Sequence, residues 1–142
     1  MALVKPITKK KPNAIQETLY QDLFAFNLVN NENKDLNLLE NENAVKQSII
    51  NILLTNVGER HFNPDYGSDI NKVLFENITP QTISTLKSLI RTSIENFEPR
   101  AKILEVSVTP SADEHYLNVN VIFNIINKTE PIDLDILLNR IR

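Results

Sequence analysis

No cysteine occurs among the 142 residues, which excludes disulfides, thiolate-bound metals and cysteine nucleophiles. Glycine is nearly as scarce: Gly58 and Gly67 are the two in the chain, too few for a glycine-rich phosphate loop. In so glycine-poor a chain, each marks a backbone position where a side chain would clash. Histidine is equally sparse, with His61 and His115 alone. No motif places either with carboxylates at helical ligand spacing, and His115 lies beside Asp113 and Glu114 in a polar stretch expected to be solvated, so no metal and no cofactor is expected. No stretch approaches the ~20 apolar residues of a membrane span. The first residues put their lysines after the apolar positions, the reverse of a signal peptide. A soluble protein with no membrane partner and no export signal is therefore expected. The formal net charge of −3, from 18 acidic against 15 basic residues, supplies no basic stripe, so no nucleic-acid partner is expected either.

What the sequence does contain is periodicity. Residues 79–108 read as an amphipathic helix running straight into a strand. Thr79 is an N-cap followed by Pro80 at the first helical position. Ile83, Leu86, Ile90, Ile94 and Phe97 recur at spacings of three and four, with Lys87, Arg91 and Glu95 on the wetter side. Pro99 drives Glu98 out of the helical region, so the helix ends there. Beyond it, Leu104, Val106 and Val108 alternate with Glu105 and Ser107. After the polar 110–115, Leu117, Val119, Val121, Phe123 and Ile125 alternate with Asn118, Asn120 and Asn124. These two runs predict an antiparallel hairpin with one buried face.

Residues 1–18, with Lys5, Lys9, Lys10 and Lys11 between Pro6 and Pro12, are expected to form a flexible arm ahead of a single domain over 19–142. Residues 19–28 suggest an aromatic-rich strand, and Leu36, Leu38 and Leu39 a second short one, the pair making a loose hairpin. Residues 43–55 predict a helix with Asn43 as N-cap and Val45, Ile49, Ile52 and Leu53 on its apolar stripe. Gly58 is expected to end that helix. Residues 58–67 form an irregular structural connector in which Gly58, Glu59, Arg60, Pro64 and Gly67 set the path. Phe62 and Tyr66 are expected to pin it to the core. Asp69 is a cap candidate for a short helix bearing Ile70, Val73 and Leu74. The C-terminal residues fit a strand or a helix, with Leu134, Leu137, Leu138 and Ile141 favouring a short helix. The predicted class is α+β: a small, mainly antiparallel sheet with two principal amphipathic helices packed on one face.

Catalytic residues are harder to find. Glu59, Asp65 and Glu98 are the carboxylates a glycosidase reading would use, but nothing in their pattern pairs an acid with a nucleophile. No serine sits in a glycine-flanked elbow. No catalytic residue is expected, and the chain is read as a non-enzyme. The corner at Glu98, Pro99 and Arg100 has firmer content: proline fixes the turn, and Arg100 can fork onto a carboxylate or onto backbone carbonyls. On the residues alone, two roles stand open. The corner either ties the helix end to Glu59 or Arg60, or it binds a partner.

The order helix, G-E-R-x-F-x-P-x-Y-G, L-F-E-N-I-T-P, helix, E-P-R and alternating hairpin resembles the baseplate wedge proteins of contractile-tailed bacteriophages. These are the sheath initiators, with relatives in type VI secretion baseplates, and the resemblance covers about residues 43–126. It implies a structural role in the virion tail, in several copies around a baseplate ring assembled in the host cytoplasm. It implies that Glu98, Pro99 and Arg100 fasten the protein to other wedge proteins. It further implies that the sheet over 102–126 accepts strands from the tail sheath protein, so that polymerisation starts on it. Some members carry the name tail lysozyme, which makes a peptidoglycan hydrolase the rival reading. A secretion baseplate subunit with the same structural role is the other.

Overall fold

The computed structural model describes residues 20–23, 38–111, 116–126 and 128–139. The N-terminal arm, His115, Ile141 and the middle of the first hairpin lie outside the described residues. Two short strands, β1 (Gln21–Leu23) and β2 (Leu38–Glu40), pair antiparallel with Asp22 opposite Leu39. Three helices follow, α1 (Asn41–Leu54), α2 (Ile70–Leu74) and α3 (Pro80–Phe97). The chain then forms β3 (Ala101–Pro110), β4 (Tyr116–Ile125) and β5 (Ile132–Asn139) in one antiparallel sheet of order β3-β4-β5. The fold is α+β, with helices on one face of a small antiparallel sheet. Helix α3 lies along β3, and α1 packs on α3 and reaches β5.

The most regular elements are those with the clearest periodicity. The Thr79 hydroxyl accepts from the Thr82 amide at 3.2 Å, and Pro80 occupies the first turn of α3, where its missing N–H costs nothing. Leu86, Ile90 and Ile94 are buried under the sheet. Every second residue of β4, from Leu117 to Ile125, faces them. Phe123, with no exposed surface, fills the centre of the core.

Four expectations need correction. Helix α1 begins two residues before Asn43, with Glu40 at the N-cap position and no side-chain cap. Asn41 makes the sharp entry possible by adopting φ +48°, a conformation asparagine tolerates, while its amide donates to the Tyr20 carbonyl at 2.7 Å. The same helix closes at Thr55, whose hydroxyl donates to the Asn51 carbonyl at 2.6 Å, so Gly58 lies beyond its end. In β3 the alternation breaks: the register shifts between Ile103 and Glu105, and the bulge turns Leu104 outward while Ile103 and Val108 stay buried. The C-terminal segment is a strand, not a helix. Ile132, Leu134, Ile136 and Leu138 are buried on the face shared with β4, and Leu137 points to solvent at 64% exposure.

Asp69 does precede α2, as expected, but its carboxylate pairs with Lys72 at 2.9 Å instead of capping the helix.

Candidate functional site

The turn after α3 gathers residues from three parts of the chain. Glu98 leaves the helical region (φ −126°, ψ 78°), as the proline that follows it favours. Its side chain turns inward and is 2% exposed. Arg100 comes back over it, with Nε 2.6 Å from one carboxylate oxygen and Nη2 2.8 Å from the other, a two-point fork. The Arg100 amide donates to the same carboxylate at 3.3 Å, and Ser48 of α1 adds a hydroxyl donor. Burial opposes the charge on Glu98, but the hydrogen bonds from Arg100 and Ser48 outweigh it and hold the carboxyl below the usual carboxylate range. Arg100 is correspondingly more basic than a free guanidinium, chiefly through its bond to Glu98.

The fork continues outward. Arg100 Nη2 lies 3.1 Å from Asp22 of β1, and its guanidinium carbon is 5.4 Å from the centroid of the Tyr20 ring. The corner therefore clamps the end of α3 to α1 and to the first hairpin. Pro99 stands exposed at its tip, and Arg100 keeps a quarter of its side chain accessible. Of the two roles left open by the residues, the internal tie is real but has other partners. Among the described residues Glu98 and Arg100 bind each other, Ser48 and Asp22, and not Glu59 or Arg60. Ser48, Asp22 and Tyr20 carry no local signal, since Asp22 lies 78 residues from Arg100 along the chain.

Beside the corner sits the connector. Glu59 folds back on the end of α1, accepting from the Asn56 amide at 2.9 Å and from its side-chain nitrogen at 2.6 Å. Those two bonds hold its carboxyl below the usual range. Gly58 and Pro64 close the loop through an amide-to-carbonyl bond of 2.8 Å. Arg60 stacks 3.7 Å above the Tyr66 ring, and Tyr66 rests on Phe97 with centroids 5.2 Å apart. Partial burial pushes the Tyr66 phenol up. Tyr66 thus pins the connector as expected, but Phe62 does not: its side chain is fully exposed, at 105%. Gly67 runs against the backbone of Thr55, and the Ser68 hydroxyl donates to the Leu53 carbonyl at 2.9 Å, closing the loop onto α1. His61 is exposed, and no cluster of metal-ligating side chains occurs among the described residues.

The arrangement suits binding better than acid–base chemistry. A general acid needs a raised carboxyl pKa, whereas Glu98 and Glu59 are both shifted down by donors already in place.

The sheet is the second surface. No helix among the described residues covers its outer face, and Asn120 donates to both Asp133 and Asp135, the latter at 2.8 Å, joining β4 to β5. Asn120 is thus not simply solvated but cross-linked to acids from the neighbouring strand.

Comparisons with known proteins agree with one another. The family model for baseplate wedge protein gp25 matches residues 39–130. Over 101 residues, 71% of this chain and 76% of the relative, the sequence is 36% identical to baseplate wedge protein gp25 of Enterobacteria phage T4. A chain in the cryo-EM structure of the anti-feeding prophage baseplate superposes with a TM-score of 0.70 at 27% identity, covering 80% of this chain and 90% of that one. A Geobacter sulfurreducens crystal structure under the provisional name tail lysozyme gives 0.67 at 25% identity, covering 71% and 92%.

Proposed function

The chain belongs to the gp25 baseplate wedge family, and from that premise we propose that it docks on neighbouring wedge proteins through the 98–100 corner and starts sheath polymerisation by accepting a strand on β5. The family role is structural, in the baseplate of a contractile tail. We read the protein as carrying no enzymatic activity, as present in several copies around the baseplate ring of a virion, and as assembled in the host cytoplasm.

The observation that carries the strand-addition reading is the contrast between the two sheet edges. Natural edges are blunted by bulges, proline or lysine. Edge β3 has all three: it carries the exposed Lys102, its ladder is bulged at Leu104, whose carbonyl accepts from Arg91 at 3.3 Å, and it ends on Pro110. Edge β5 has none of them. Its eight residues pair with β4 in unbroken register, contain no proline or lysine, and meet no further strand among the described residues. Such an edge offers unpaired backbone donors and acceptors to an incoming strand. Mixing with sheath protein is expected to slow amide hydrogen exchange in residues 132–139 by at least about tenfold, as new backbone bonds form. Slowing confined to 101–110, or absent from both edges, would remove β5 from this role.

For the corner, the supporting feature is an exposed proline set on a turn that Glu98 and Arg100 hold rigid. A rigid turn loses little entropy when it binds. The Arg100→Lys variant keeps a cation over Glu98 but loses the planar fork. It is expected to remain folded by circular dichroism yet to lose co-purification with wedge proteins. Unchanged co-purification by a folded variant would reject the corner as the docking point.

A further inference from the structure

The connector displays a large aromatic side chain that nothing in the described chain covers. Phe62 is the most exposed large hydrophobic among the described residues. Its neighbours His61, Asn63, Pro64 and Asp65 are exposed as well, so a lone apolar ring projects from a polar surround. The loop beneath it is tightly bonded. Backbone bonds join Gly58 to Pro64 at 2.8 Å, Asn63 to Arg60 at 3.3 Å and Tyr66 to Asn63 at 3.2 Å. Glu59 is held by Asn56, and the Arg60, Tyr66 and Phe97 stack ties the loop to the last turn of α3. The loop thus fixes the backbone from which the ring projects before any partner arrives, which removes the backbone part of the entropic cost of using it in binding.

From this geometry we propose that Phe62 is an aromatic anchor that inserts into an apolar pocket on a neighbouring wedge protein. Anchors of interfaces are typically single aromatic side chains seated in a pocket and ringed by polar contacts that exclude water. The surroundings here match that form. A membrane surface fits less well, because one ring offers little apolar area and Glu59 and Asp65 flank it with negative charge. The choice of partner rests on the docking reading given above. Phe97, on which the connector is stacked, is two residues from Pro99, so a protein held at the corner lies at the connector's end of α3.

The test compares Phe62→Ala and Phe62→Leu with Arg100→Lys in the full chain, using the purified complex of the other wedge proteins as probe. Because the Phe62 side chain is fully exposed, both Phe62 variants are expected to unfold at the same urea concentration as the parent chain. Phe62→Ala should weaken binding about thirty-fold, as loss of an interface anchor does. Phe62→Leu, which keeps an apolar knob, should recover part of the loss. If Phe62→Ala binds like the parent while Arg100→Lys does not, the anchor is rejected and the corner stands. If neither substitution weakens binding, both readings fall. A loss of self-association on sedimentation, with wedge binding unchanged, would place Phe62 between copies of this chain and overturn the proposal. Loss of binding to anionic vesicles alone would overturn it in favour of a membrane.

Discussion

Arg100→Ala is expected to destabilise the fold by about 3–5 kcal/mol at pH 7, the usual cost of breaking a buried ion pair by removing one partner. Seen only as an exposed corner residue, Arg100 should be removable without harm to the fold. The burial of Glu98 changes that expectation. Its carboxylate is 2% exposed, and two of its donors are nitrogens of the Arg100 side chain, at 2.6 and 2.8 Å. Without them a charged group is left inside with Ser48 and one backbone amide. Removing Glu98 instead should be milder, because Arg100 is 24% exposed and still has Asp22.

The pH dependence separates this account from a simple loss of packing. In the parent chain the Glu98 carboxyl is lowered in the folded state. Its contribution to stability is therefore present above the unfolded carboxyl value of about 4.3 and fades as pH falls through the lower folded value. In Arg100→Ala, burial prevails and the sign reverses: the folded carboxyl rises above its unfolded value. The variant then gains stability relative to the parent as the pH drops and Glu98 takes up a proton. The gap in unfolding free energy, measured by urea titration, should be widest at pH 7 and narrow toward pH 4. Adding Glu98→Gln to Arg100→Ala should recover part of the loss. A gap that is small at pH 7, or that does not change with pH, would mean that the pair is not what holds the corner.

Gly67→Ala carries the second large effect, about 3 kcal/mol. Two independent causes act there. The backbone sits at φ +122°, which an L side chain rarely adopts, and an added Cβ would lie 2.4 Å from the Thr55 carbonyl oxygen. That oxygen is backbone and accepts the Ser68 amide at 2.9 Å, so it cannot swing away without opening the junction between connector and α1. Gly58 supplies the control. It also has positive φ, at +92°, but an added Cβ meets nothing within 4 Å. Gly58→Ala should therefore cost only the conformational part, about 1 kcal/mol. Equal urea midpoints for the two alanine variants would show that the close approach to Thr55 does not matter.

Elements whose repeat matches their own geometry were legible in the residues. Pro80 and the three-and-four spacing through Ile94 define α3, and strict alternation defines β4, because each residue there answers to one face alone. The last strand was harder to read. Ile132, Leu134, Ile136 and Leu138 do alternate, but Leu137 adds an apolar residue on the outer face and imitates a helical stripe. Only the free edge of β4 decides between them, since a strand there completes a sheet that a helix cannot. The bulge at Leu104 is invisible for a similar reason: it is a mismatch between two strands, not a property of either.

The expectation of a clash at both glycines holds at Gly67 and fails at Gly58, where the space is open and only the positive φ restricts the residue; the residues separate the two from the rest of the chain but not from each other. Tertiary contact does that, by placing Thr55 against Gly67 and open space beside Gly58. The connector's aromatics divide in the same way. Tyr66 and Phe62 look equivalent in the sequence, yet Tyr66 has Phe97 and Arg60 to lie between, and Phe62 has no such neighbours.

By itself the sequence determined the class of fold, the long helix, the central hairpin and the order of motifs that places the chain in its family. These rest on local periodicity and on proline and glycine geometry, which act within a few residues. Only the tertiary structure decided that Glu98 faces inward, that Arg100 bridges it to Asp22, and that β5 is the regular edge. Those outcomes depend on groups far apart in the chain meeting: Glu98 is buried where an unpaired charge would carry its full cost, and the two sheet edges differ only once β3 and β5 have paired with β4.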